Sequence, residues 1–245
     1  MIELTNLTKR FGDFTAVNDV TLTARPGEIF GFLGANGAGK TTTIRILAGL
    51  SLPSGGSARI QGHDVVTDSA GAKSVTGYVP DRPYLYEKLT GRELLDFVTD
   101  LYRHDRKSAQ LRADRFLHYF DLFRWVDSRI ESYSHGMKQK LVIIAALVHD
   151  PAVLIIDEPM VGLDALAQRQ TRDLLREEAS RGKTVFLTTH TLSVAESLCD
   201  RIAILREGRI AVMGTTDEVK ARARVPGSPL EDAFLEISYG DYSPS

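Results

Sequence analysis

The stretch GFLGANGAGKTTTIRILAGL, residues 31–50, constrains the chain more than any other. It holds Gly34, Gly39, Lys40 and Thr41 at the spacing G-x-x-x-x-G-K-[ST], directly behind the apolar run IFGFL and ahead of a helical pattern. The glycines let backbone N–H groups curl around phosphate oxygens, and the start of the helix adds a favourable dipole. Lys40 reaches the β- and γ-phosphates of a nucleotide, and the Thr41 hydroxyl is placed to ligate magnesium.

The rest of the chain supplies the frame for such a loop. The opening segments IELTNLTKRFG, FTAVNDVTLTA and GSARIQG alternate short apolar runs with turn residues, which predicts a β-rich start with antiparallel hairpins. From Thr90 the texture becomes helical. Thr90 and Glu93 have capping-box spacing, with Leu94, Val98 and Leu101 expected on one face. A second helix is expected over 111–123, and a third after Ser134, a good N-cap residue. Beyond residue 152, buried strand patterns (AVLIID, KTVFLTTH, RIAILREG) alternate with helical ones, the first helix ending near Gly182, and this alternation predicts an α/β fold. A short helix in PLEDAFLEI and a frayed YGDYSPS complete the expectation.

Composition narrows the class. Of 245 residues, 43% are hydrophobic and 25% charged, as in soluble globular proteins. The longest apolar run, LVIIAALV, stops at His149, Asp150 and Pro151, well short of the roughly 20 residues a spanning helix needs. The N-terminus alternates like a strand and has no signal-peptide core, so export of the chain is not expected. Thirty basic against 32 acidic residues leave a net charge of -2, too weak a field to collect nucleic acid. The sole cysteine, Cys199, excludes an internal disulfide and a cysteine metal cluster, and core packing is its expected role.

A second chemical element matches the phosphate loop. In VLIIDEP, Asp157 ends a buried strand, where a carboxylate holds magnesium directly or through water, and Glu158 follows at once. Adjacent residues leave a strand on opposite faces, but where the chain turns both can address one site. Glu158 is then placed to orient or deprotonate a water that attacks the γ-phosphate. His190 closes another buried strand. YSHGMKQK, residues 133–140, has the residues of a helix start suited to an anion, and by itself also reads as a capped helix and nothing more.

Taken in order, these parts resemble the ATP-binding subunit of the ATP-binding cassette (ABC) transporters, from about Glu3 to Gly214. The resemblance implies an α/β P-loop NTPase core with a mostly parallel sheet, an N-terminal antiparallel β subdomain and a helical insert at about 83–140. The cassette would span residues 1–224, with a short tail at 225–245. It implies ATP and magnesium as ligands. Phe11 would stack on adenine, and Gly34, Asn36, Gly37, Ala38, Gly39, Lys40, Thr41 and Thr42 would hold the phosphates. Thr41 and Asp157 would serve the metal, Glu158 would act as base and His190 as the switch histidine. Ser134, Gly136 and Met137 would face the γ-phosphate bound by another subunit, so that two copies, or one copy and a homologue, close head-to-tail around two ATP. The same resemblance implies a separate membrane-spanning permease, a peripheral place on the cytoplasmic face of the membrane, and export as the direction.

The chain departs from that family's pattern in places. Asp81 stands where a glutamine is usual; it reads either as a group acting on the metal or as a turn residue between Pro80 and Pro83. Val161 takes the place of a common serine in the loop before Leu163 and Asp164, and His135 that of a signature glycine. Tyr84, Tyr86 and Phe97 lie where the family's insert meets its membrane partner, and core packing of the insert is an equal reading. Two other functions share the loop: a non-transport cassette acting on nucleic acid or the ribosome, and a phosphoryl-transferring kinase.

Overall fold

The computed structural model describes residues 1–223 and 228–239. Strands β1 (Ile2–Phe11) and β2 (Phe14–Ala24) form an antiparallel hairpin, and β4 (Gly55–Ile60) and β5 (His63–Asp64) extend it in the order β2-β1-β4-β5. The second sheet has the order β10-β9-β3-β8-β7-β6. Its strands β3 (Ile29–Gly34), β6 (Thr76–Val79), β7 (Val153–Asp157), β8 (Thr184–Thr188) and β9 (Arg201–Arg206) pair in parallel, and β10 (Arg209–Gly214) returns antiparallel.

Every residue of β3, β7 and β8 is buried, which is why these strands read as continuous apolar runs rather than alternating ones. The two faces of β7 serve different cores. Val153 and Ile155 join Phe30, Phe32 and Phe186 beneath the N-terminal sheet and helix α1 (Lys40–Leu47). Leu154 and Ile156 point the other way, into the core of the helical lobe. That lobe holds α3 (Gly91–Leu101), α4 (Arg106–Tyr119) and α5 (His135–Leu147), with α6 (Ala165–Ser180) closing the same core. Short helix α2 (Ser69–Ser74) precedes β6.

The expected caps are present. Thr90 and Glu93 form a reciprocal capping box, the Ser134 hydroxyl accepts from the Met137 N–H, and Gly182 follows α6 at φ +88°. One expectation needs correction. Helix α4 begins at Arg106, five residues before 111, because the Asp105 carboxylate accepts from the Ser108 N–H, and Phe123 lies in a separate 3-10 turn. Leu94, Val98 and Leu101 share one face of α3 as expected and line one cleft, Leu94 buried and Leu101 exposed.

Helices α7 (Leu192–Leu198) and α8 (Thr216–Arg222) flank the β9–β10 edge, and PLEDAFLEI begins α9 (Leu230–Tyr239). Leu230 and Ala233 bury themselves in a third core with Leu33, Ile202 and Ile204. The expected boundary at residue 225 and the frayed end after Tyr239 lie outside the described residues. Among the described residues, no helix is long and apolar enough to cross a membrane.

Candidate nucleotide site

The phosphate loop joins β3 to α1, and its geometry depends on glycine. At Gly39 φ is +107°, and a Cβ there would stand 2.4 Å from the Ala16 carbonyl oxygen. Only a residue without a side chain lets the loop pass that close to β2. The Gly208 N–H donates to the Ala38 carbonyl, tying the loop to the β9–β10 turn, and the Gly39 carbonyl accepts from both the N–H and the hydroxyl of Thr43. Lys40 arches back over the loop, its ammonium donating to the carbonyls of Gly34 (2.6 Å) and Ala35 (3.1 Å). Burial lowers the Lys40 pKa, against the opposing pull of the Glu158 and Asp157 carboxylates.

That electrostatic link places both acids at the loop. Asp157 ends β7, buried, with Oδ1 accepting from the Thr188 hydroxyl at 2.5 Å. Its pKa is raised, chiefly by burial and further by the charges of Asp81 and Glu158, while the Thr188 bond and Lys40 oppose the shift. Glu158 takes φ +54°, a conformation rare for a residue with a side chain, and its N–H donates to the Thr188 carbonyl. This kink lets consecutive residues of one strand face the same site. His190, exposed beyond the end of β8, sets Nδ1 2.9 Å from Oε1 of Glu158.

A cleft of about 220 Å³ opens over the loop, lined by Phe14, Ala16, Asn36, Gly37, Lys40 and Thr41, together with Gly39 and Thr42. Phe11 is not among these residues. It lines an adjoining hollow with Thr41, Thr42 and Arg45, and its ring lies under the Lys9 ammonium at 4.8 Å. Phe11 and Phe14 face each other across the hairpin turn, and both are exposed. Phe14 was not singled out from sequence, although its place directly opposite Phe11 across a two-residue turn is a readable sign. Ser134, Gly136 and Met137 at the start of α5 belong to the helical lobe, Ser134 exposed and Met137 packed partly against the core.

The family described as ABC transporter matches residues 17–161, more than half of the chain. The chain belongs to the ABC transporter family. It is 35% identical over 240 residues to the probable multidrug ABC transporter ATP-binding protein YbhF of Escherichia coli K12, covering 97% of this chain but 41% of that protein. The chain thus spans less than half the length of that relative. A solved ATP-binding subunit of an ABC transporter superposes with a TM-score of 0.93 at 33% identity, covering 97% of this chain and 99% of that one. The ATP-binding cassette MJ0796, in a dimeric post-hydrolysis state bound to ADP and Pi, superposes with a TM-score of 0.78 at 26% identity, covering 88% and 98% of the two chains.

As an ABC cassette, the chain has a donor set suited to magnesium. Burial, and with it the charges of Asp81 and Glu158, raise the cost of ionising Asp157, a cost that a divalent cation would relieve. Among the described residues no three His, Cys, Asp or Glu side chains form a metal cluster of their own. Magnesium in nucleotide sites takes one or two carboxylates and completes its shell with phosphate and water, so Asp157 and the Thr41 hydroxyl are hard oxygen donors of the right kind. Three aromatic residues of the insert, Tyr84, Tyr86 and Phe97, are not core: Tyr84 is 84% exposed, and Tyr86 and Phe97 meet edge-to-face at 5.8 Å on the surface.

Proposed function

We propose that the chain is the ATP-hydrolysing, nucleotide-binding subunit of an ABC transporter, closing head-to-tail with a second cassette around two ATP. The observation that carries this reading is the convergence of Lys40, Asp157, Glu158 and His190 at the mouth of one phosphate loop. Lys40 exchanges its loop carbonyls for β- and γ-phosphate oxygens, and the N–H groups of 36–42 hold the remainder. Thr41 and Asp157, with Asp81 near Asp157, would hold magnesium, which when bound would supply positive charge against the phosphates. Glu158, oriented by His190, takes a proton from the attacking water as its oxygen bonds to the γ-phosphorus and the bond to the β-phosphate oxygen breaks, yielding ADP and phosphate.

Ser134, Gly136 and Met137 meet the γ-phosphate bound by the partner copy, so hydrolysis removes the group that both halves grip. The dimeric ADP- and Pi-bound state of the related cassette supports this arrangement. The exposed Tyr84, Tyr86 and Phe97 form the face that receives a membrane-spanning permease on the cytoplasmic side. Export is the direction supported by the name of the multidrug relative.

Glu158→Gln tests the reading. This variant binds ATP, loses at least ~100-fold in turnover and accumulates ATP-dependent dimers by light scattering. Rapid hydrolysis by it rejects Glu158 as base. Asp81→Ala weakens the magnesium dependence of turnover; an unchanged dependence and rate leave Asp81 a turn residue only.

A further inference from the structure

The start of α5 and the turn after Glu158 interlock within one subunit. The imidazole of His135 lies over Gly162, where a Cβ would stand 2.3 Å from Cδ2 and 2.4 Å from Nε2 of that ring. Gly162 also has φ +77°, so its backbone favours a residue without a side chain, and the His135 ring occupies the space a Cβ there would take. Gly136 approaches from beside the ring, and a Cβ on it would lie 3.1 Å from the Gly162 carbonyl oxygen.

The segment that Gly162 belongs to is short and well tied. The Val161 N–H donates to the Glu158 carbonyl (3.3 Å), and the Leu163 N–H donates to that of Met160 (3.4 Å). From α6, the Gln168 amide donates to the carbonyls of Met160 and Leu163. The His135 ring therefore meets a turn whose backbone is hydrogen-bonded to that of Glu158, itself held at a left-handed φ.

We infer that His135 is a positioning residue for Glu158: it latches the front of α5 to the Gly162 turn, so that a shift of the signature resets the base of the same subunit. This rests on the proposed reading in which α5 faces the partner's nucleotide. Given that reading, the nucleotide held by one copy governs the Glu158 that serves the other. The latch needs both a ring at 135 and no side chain at 162. A glycine at 135, as the family's signature usually has, makes no such contact.

The test measures ATPase kinetics of the full chain and His135→Ala, Gly162→Ala and the double variant, with thermal melts to confirm folding. His135→Ala is expected to lower kcat about tenfold with KM for ATP unchanged, since misplacement of a catalytic group costs rate more than binding. It also brings the Hill coefficient for ATP toward that of independent sites. Gly162→Ala loses more, and the double variant recovers part of that loss because the ring no longer collides with the new methyl. An unchanged kcat in His135→Ala overturns the latch, as does a folded double variant no faster than Gly162→Ala. Light scattering on Glu158→Gln with and without His135→Ala separates this inference from the reading beneath it. ATP-dependent dimers in both support the latch. Loss of dimers only when His135 is removed makes it a phosphate ligand and overturns the positioning role, whereas their absence in Glu158→Gln alone rejects the head-to-tail dimer itself.

Discussion

His190 Nδ1 lies 2.9 Å from Oε1 of Glu158, joining the residue beyond β8 to the one beyond β7. Since Glu158 is a flexible side chain on a kinked backbone, the imidazole holds the carboxylate in one orientation. Replacing His190 with alanine should reduce kcat roughly 100-fold, within the range expected of positioned acid–base groups. Binding of a fluorescent ATP analogue should change little, because the ring pairs with Glu158 rather than with a phosphate-loop residue. An equal loss in binding and turnover counts against the orienting role.

Asp157 carries a cost that its function requires. Its folded pKa is raised by burial and by the Asp81 and Glu158 charges. A carboxylate with a raised folded pKa lends stability below its unfolded pKa and loses it as pH rises through the folded value. The ionised group therefore burdens the nucleotide-free protein at neutral pH. Asp157→Asn keeps an acceptor for Thr188 and should raise Tm at pH 7.5, with a smaller gain at pH 4, while lowering magnesium-dependent turnover by ~100-fold or more. A Tm that falls at both pH values contradicts this account.

Phe14, rather than Phe11, shares the phosphate-loop cleft, and the two rings flank adjoining hollows. Stacking of a base on an aromatic ring contributes about 1–3 kcal/mol. Phe11→Ala and Phe14→Ala should each raise KM for ATP about tenfold with kcat nearly preserved. If only Phe11→Ala does so, Phe14 contributes shape alone.

His149 predicts an acid-sensitive fold. It is buried, stacked on Tyr102 at 3.6 Å, with Nε2 3.2 Å from the Thr76 carbonyl. Burial, aided by His104, Lys183 and Arg112, lowers its pKa from 6.5 to about 4. A folded pKa depressed in this way favours the fold above the unfolded value, and that advantage disappears as pH falls from 6.5 through 4. The full effect is about 3 kcal/mol. Urea midpoints measured from pH 7.5 to 4.5 should fall in wild type and fall less steeply in His149→Gln.

The phosphate loop and the Asp157–Glu158 pair were legible because their chemistry depends on spacing along a few consecutive residues. Ser134 and the Thr90–Glu93 box were legible for the same reason. Asp81 was ambiguous because its nearness to Asp157 arises from β6 pairing with β7, which no local pattern records. The contact of His135 with Gly162 joins α5 to a turn on the other side of β7, and nothing in YSHGMKQK announces it. The onset of α4 was missed because one capping carboxylate, Asp105, outweighs the weak apolar periodicity of RKSAQL.

Cys199 packs its sulfur against β3, so close that a methyl at Gly31 would come within 2.8 Å of it, and burial pushes its pKa up to about 12. A thiol so protonated reacts poorly with maleimides at neutral pH. As it is the only cysteine in the chain, a second one introduced on the outer surface offers a selective attachment point for a dye. Distances between two labelled copies could then be followed by energy transfer, one molecule at a time, without first stripping the native residue from the protein.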